Sequence, residues 1–247
     1  MDNLSVTLNK LNVGCHVNNS NLNHLMYADD LAIVSPSARA LQILLSHCDE
    51  YAKDNDIIFS TKKSVCMCVQ PKSFKGFIRH KMTLSNSKLE YVESYNYLGV
   101  NISSDMSDDK AIYKQCQSMY AKGNVLIRNF KACTDNVKRL LFNSYCSDFY
   151  CSALWINFKS ESLRRLKTAY NRVFRKLFNL KGQISVSECL VARRLNPFIV
   201  LLRKAIYNLR QRVFKSNNSI VRNFTTCNLC YLSQLHCYWE RSICILT

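Results

Sequence analysis

The stretch from Asn23 to Ser35, NHLMYADDLAIVS, decides how the first half of the chain reads. Apolar runs flank two adjacent acids, Asp29 and Asp30. That pattern predicts two strands, about 23–28 and 31–35, joined by a turn with both aspartates at its tip. A two-residue turn normally takes Asn-Gly or Asp-Gly, because its central positions need positive φ. Asp-Asp serves a turn poorly, and adjacent carboxylates repel. A hard dication such as Mg2+ removes both objections, since it binds through one or two carboxylates and keeps several waters. An acidic, solvent-exposed turn explains the same four letters, Tyr27-Ala28-Asp29-Asp30, and both readings stand at this point.

Working outward, Ser35-Pro36-Ser37 opens a helix expected from Ser37 to about Lys53, with Leu41, Leu44, Leu45, Cys48 and Tyr51 at helical spacing. The segment DIIFSTKKSVCMCV reads as two short strands around Ser60–Lys63. KLEYVESYNYLGVNIS reads as another strand pair, with Gly99 at a tight point. From about Asp109 the apolar period becomes helical. Ile112, Cys116, Met119, Gly123 and Ile127 mark one helix, and Val137, Leu140, Leu141, Ser144 and Tyr145 a second. Leu163, Leu166, Tyr170, Val173 and Leu177 mark a third, begun near Ser160, and Asn196-Pro197 starts a fourth. Strands followed by helices predict an α+β fold: a small antiparallel sheet with a packed helix over 1–108, a helical region over 109–215, and a cysteine-rich tail over 216–247.

Charge divides at the same place. Residues 1–110 carry 11 Lys/Arg against 12 Asp/Glu, net −1, and residues 111–247 carry 23 against 5, net +18. A strongly basic half attracts polyanions, of which nucleic acid is the commonest. Arg164, Arg165, Lys167, Arg172, Arg175 and Lys176 share one amphipathic helix with the third apolar stripe, so a basic ridge can face solvent while the helix packs inward. A solvated basic face without a ligand is the alternative.

The start, MDNLSVTLNKLNVG, lacks the basic-then-apolar pattern of a secretion signal, and no apolar run approaches membrane-spanning length. An intracellular, non-secreted protein with no membrane partner is expected. Thirteen cysteines, odd in number and irregularly spaced, then read as free thiols, mostly buried. Cys227, Cys230, His236 and Cys237 hint at zinc, but adjacent ligands rarely reach one tetrahedral ion, and ordinary buried cysteines are the preferred reading.

Taken in order, LMYADDLAIVS, the following helix, IIFSTKKS and YNYLGVNIS resemble the reverse transcriptases of non-LTR (LINE-type) retrotransposons. LKTAYNRVFRKLFNL is similar to a helix on their thumb side. The resemblance implies a palm-type sheet followed by a thumb-like region, and an RNA-directed DNA polymerase acting on an RNA template and DNA primer with Mg2+. It implies Asp29 as a metal ligand, Asp30 in support of the same site, Lys63 near the nucleotide phosphates, and Tyr97, Leu98 and Gly99 at the primer end. Lys63 also reads as a solvated loop charge beside Lys62, and Leu98 as plain hairpin packing. The family's first catalytic aspartate motif, its Pro-Gln-Gly-type motif and its fingers have no counterpart here, and Ser60 stands where the family more often shows Asn. The chain is therefore expected to be the C-terminal half of such a polymerase, truncated, with half of its metal cage and inactive alone. A non-catalytic, basic nucleic-acid-binding protein and a functionless retroelement remnant are the competing readings.

Overall fold

A computed structural model describes residues 2–17, 20–70, 78–182, 184–226 and 233–243. The chain divides into two compact units, Met1–Tyr95 with Ser216–Tyr231, and Asn96–Lys215 with Leu232–Thr247.

The first unit opens with a helix that the sequence reading did not anticipate, α1 (Asp2–Lys10). Leu4 and Leu8, one turn apart, are fully buried and pack with Leu44 and Cys48 of α2 (Ala38–Asp54). α2 starts where its cap dictates. Ser37 is extended, and its hydroxyl accepts from Ala40 N at 3.2 Å. The helix closes on Asp56, which takes a positive φ of 53° while Ile57 N reaches back to Ala52 O at 2.9 Å, a Schellman closure.

That closure corrects one expectation. Residues 57–59 form no strand, because the helix cap uses the chain up to Ile57 and a turn back to Ser60 O uses Lys63 and Ser64. The next strand, Val65–Cys66, pairs in parallel with Glu90–Tyr91 instead of with its own upstream neighbour. Numbered in chain order, the strands are β1 (Cys15–Val17), β2 (Ser20–Leu22), β3 (His24–Tyr27), β4 (Asp30–Ile33), β5 (Val65–Cys66), β6 (Thr83–Leu84), β7 (Ser87–Lys88), β8 (Glu90–Tyr91), β9 (Ser94–Tyr97) and β10 (Val100–Ser103). Among the described residues they form two-stranded ladders, β1–β2, β3–β4, β5–β8, β6–β7 and β9–β10, instead of one continuous sheet.

Asparagines hold the end of α1. Asn23 Nδ2 donates to Leu8 O at 2.6 Å and Val13 O at 3.0 Å, and Asn21 Nδ2 to Leu11 O at 2.8 Å. These side chains satisfy carbonyls that a helix terminus leaves open. With its amide so oriented, Asn23 offers Oδ1 to His24 Nδ1 at 2.6 Å, so Nδ1 carries the proton and Nε2 accepts from Ser5 Oγ at 2.7 Å. Burial pushes the His24 pKa below its ordinary value of 6.5. Between the depressed folded value and 6.5 the unfolded chain binds more protons, so stability rises with pH through that window. Lowering pH from 7.5 to 5 should therefore destabilise the first unit, and His24→Gln should flatten the response. Urea midpoints at both pH values measure it; identical profiles for wild type and variant would refute the assignment.

The second unit is helical: α3 (Asp109–Phe130), α4 (Asp135–Cys146), a 3-10 turn at Ser152–Leu154, α5 (Ser160–Leu177), α6 (Val186–Ala192) and α7 (Phe198–Phe214). α8 (Ser219–Thr226) belongs to the first unit, where Asn223 donates to Ser20, and α9 (Gln234–Ile243) packs on α7. The α+β order expected from the sequence is borne out. α3 and α5 approach so closely that a Cβ on Gly123 would lie 2.5 Å from a Val173 methyl. α5 buries Leu166, Ala169, Tyr170, Val173, Phe174 and Leu177, close to the expected stripe.

α4 is a second correction. It buries Lys138, Phe142 and Cys146, whereas Val137, Leu140 and Tyr145, expected inside, are exposed. Phe142, tilted against Tyr170 at 5.1 Å and edge-on to Phe174 at 5.4 Å, decides which face turns inward, because these aromatic contacts bury a large apolar area. The segment around the expected boundary is anchored, not open. Asp108 accepts from Ile156 N and Asn157 N, both at 2.8 Å, and Asp109 from Lys159 N at 2.9 Å. Burial raises the Asp108 pKa in spite of those bonds.

Among the described residues no helix is long and apolar enough to cross a membrane. Cys48, Cys66, Cys116 and Cys146 are buried free thiols; Cys15, Cys68, Cys133, Cys151 and Cys189 are half-buried, and Cys237 is exposed. Of the tail's suspected metal group, Cys227 and Cys230 lie outside the described residues, and His236 sits 3.8 Å from Glu240.

Candidate functional site

The β3–β4 hairpin pairs Tyr27 with Asp30 and His24 with Ile33. Its two turn residues are therefore Ala28 and Asp29. Asp30 is the first residue of β4 and does not share the tip as expected. Ala28 takes φ 53°, a left-handed value usually reserved for glycine, and so supplies the conformation that the sequence did not advertise. Met26, Leu31 and Ile33 pack against the Leu4–Leu8–Leu44–Cys48 cluster, which fixes the hairpin's inner side. Tyr27, Ala28, Asp29 and Asp30 are all exposed. Neither carboxylate is held by a hydrogen bond or ion pair from a described residue.

Lys63 is exposed, in the turn that follows α2, and no ion pair joins it to Asp29 or Asp30. Phe59, four residues earlier, packs against the same cluster as Leu31 and Ile33.

The Tyr97-Leu98-Gly99-Val100 turn is built as a two-residue hairpin with Leu98 at φ 48° and Gly99 at φ 79°. Positive φ at both central positions is the type I′ geometry, which suits Gly99 and costs Leu98. Tyr150 Oη donates to Leu98 O at 2.9 Å, and a Cβ on Gly99 would come within 3.2 Å of the Tyr150 ring. Glycine thus suits the φ here, and a side chain would also crowd the ring. Tyr150 carried no periodic or motif signal in the sequence; only the fold brings it to this turn.

Six basic residues on α5 divide into two kinds. Arg164 and Arg165 both bind Glu161, whose carboxyl they hold below its usual range through hydrogen bonds, and Arg175 donates to the carbonyls of Gly182 at 3.0 Å and Ile184 at 2.6 Å. Lys167, Arg172 and Lys176 are exposed and engaged by no described side chain. Those three are the cations available to an outside anion.

Two free carboxylates suit a single dication that keeps most of its water, because Mg2+ prefers such oxygen donors. They do not balance a pair of dications a few ångströms apart. Among the described residues no group of three or more His, Cys, Asp or Glu side chains is placed to hold a metal.

Residues 1–102 match the family model described as reverse transcriptase (RNA-dependent DNA polymerase), less than half of the chain. No curated protein matches the chain.

Proposed function

We propose that this chain carries late palm elements and a basic, thumb-like helical region of a non-LTR (LINE-type) reverse transcriptase, that it binds RNA and DNA through the basic region, and that it does not extend a primer on its own. The observation that carries the reading is the exposed Tyr27–Asp30 turn, with both carboxylates unpaired among the described residues, inside the region that matches the reverse transcriptase family.

In this reading Asp29 and Asp30 would hold Mg2+, which would offset negative charge on the reacting phosphates. The reaction forms a bond between the primer 3′ oxygen and the nucleotide α-phosphorus, releases pyrophosphate, and frees the hydroxyl proton. Lys63 offsets charge on the nucleotide phosphates or protonates the leaving pyrophosphate. Tyr97, Leu98 and Gly99 support the primer end. Two adjacent carboxylates leave a two-ion site under-compensated, and positioning is most of this chemistry, which is why the chain alone stays inactive.

The test is primer extension with purified chain, an RNA template, a DNA primer, dNTPs and Mg2+. The chain alone should give no product. Adding, in trans, a related polymerase's segment with its own catalytic aspartate should restore extension, and Asp29→Ala should then abolish it. Extension by the unaided chain that is lost in Asp29→Ala would overturn the inactivity; complementation indifferent to Asp29→Ala would overturn the site.

A further inference from the structure

A groove of about 950 Å3 in the second unit lies between the Asp148–Leu154 segment and α7, and no residue of α5 lines it. Part of its surface is apolar: Phe149 and Ala153 are buried, and Ala205 and Leu209 face it from α7. Residues 205, 209 and 212 follow one another on a single helix face, so the apolar stripe runs into Arg212, with Lys215 just beyond. Arg212 and Lys215 are exposed and paired with no described carboxylate. Asp148 is the one acid on the lining. On the opposite wall stands Tyr150, 54% exposed. Its hydroxyl is tied to Leu98 O and its ring lies against Gly99, so the ring is held in place while more than half of the residue stays open.

A fixed aromatic face beside unpaired cations, over an apolar floor, is the arrangement that single strands use: bases stack on the ring and phosphates meet the cations. A paired duplex offers neither its base faces nor the reach to enter such a groove. We infer that this groove is a binding site for a single-stranded nucleic acid, with Tyr150 as its stacking platform and Arg212 and Lys215 as its phosphate contacts. The inference rests on nucleic acid being the partner proposed above, but on different residues. Burial keeps the Cys151 thiol protonated beyond its ordinary range, so it adds no negative charge to the lining.

The experiment uses the full chain and a fluorescein-labelled oligo(dT) of about twelve nucleotides, a length within the site sizes of such grooves, followed by anisotropy across salt concentrations. Arg212→Gln with Lys215→Gln should weaken binding about tenfold and make the salt slope shallower by about 1.4, two single-strand phosphate contacts at roughly 0.7 each. Tyr150→Leu should weaken binding about tenfold, as loss of one base stack does. Tyr150→Phe, which keeps the ring, should lose much less, and this contrast separates stacking from a general loosening of the Leu98–Gly99 turn. Thermal unfolding of each variant confirms that it is folded. Binding that is unchanged in the Arg212/Lys215 and Tyr150→Leu variants but lost when Lys167, Arg172 and Lys176 are changed would overturn the groove and leave the α5 reading standing. The reverse pattern would support the groove and remove the α5 ridge. A wild-type chain that binds no oligonucleotide, or binds a duplex as tightly as the single strand through the groove, would also overturn it.

Discussion

At 50 mM salt, a chain carrying Lys167→Glu, Arg172→Glu and Lys176→Glu should bind a single-stranded oligonucleotide at least about a hundredfold more weakly than wild type, with a salt slope shallower by about two. The choice of three from the six basic residues of α5 follows from their partners. Arg164 and Arg165 already share Glu161, and Arg175 is spent on the Gly182 and Ile184 carbonyls, so changing it alters the loop as well as the charge. The three chosen side chains are exposed, and the buried face of α5, from Leu166 to Leu177, is untouched. Each phosphate contact removed subtracts about 0.7 from the single-strand slope, and each new carboxylate repels the backbone besides. The measurement is equilibrium anisotropy at several salt concentrations. Equal affinity and slope for wild type and variant would show that the basic ridge is only a solvated face.

Tyr170→Ala should cost the second unit about 3–5 kcal/mol, the usual loss for deleting a buried aromatic. Tyr170 is fully buried on α5, its ring meets Phe142 at 5.1 Å and both Phe149 and Phe198 at 6.0 Å, and its hydroxyl donates to Asn196 O at 2.8 Å. It therefore joins α4, α5 and α7 in one contact set. Tyr170→Phe keeps the ring and strands the Asn196 carbonyl, for roughly 1–3 kcal/mol. Thermal unfolding should place the Ala variant roughly 10 °C below wild type, taking about 2–4 °C per kcal/mol for a chain of this size. A loss below about 1 kcal/mol for Tyr170→Ala would mean that the site collapses onto other side chains and that this aromatic set is not what joins the helices.

Much of this architecture was legible in local pattern. Ser37 advertises the start of α2, the switch to helical spacing at Asp109 marks α3 within a residue, and the α5 stripe from Leu166 to Leu177 is buried as spaced. The α3 stripe was nearly right, with Leu126 taking the buried place expected for Ile127. In each case the signal lies within one element, where periodicity and capping act directly. α1 was legible in principle: Leu4 and Leu8 are spaced by one turn, but a nine-residue helix with two strong apolar positions does not stand out without the α2 surface that it covers. The inner face of α4 was misread for a related reason. Val137, Leu140 and Tyr145 make the more regular stripe, and what decides the orientation is Phe142 meeting Tyr170 and Phe174, residues about thirty positions away in the chain.

The sequence by itself determined that a strand-rich part precedes a helical one, that charge gathers in the second half, and that two adjacent carboxylates fall at a break between two apolar runs. These are properties of composition and near-neighbour spacing, which need no knowledge of what folds against what. Tertiary structure alone decided that Ala28, not an aspartate, bears the left-handed turn position; that β5 pairs with a strand some twenty-five residues on; that three of the six α5 cations are committed to partners; and that Tyr150 locks against Leu98 and Gly99. Each of these depends on a hydrogen bond or a close approach between distant residues. Such a contact forms only when the rest of the chain has brought both partners to the same place, and no pattern local to either one encodes it.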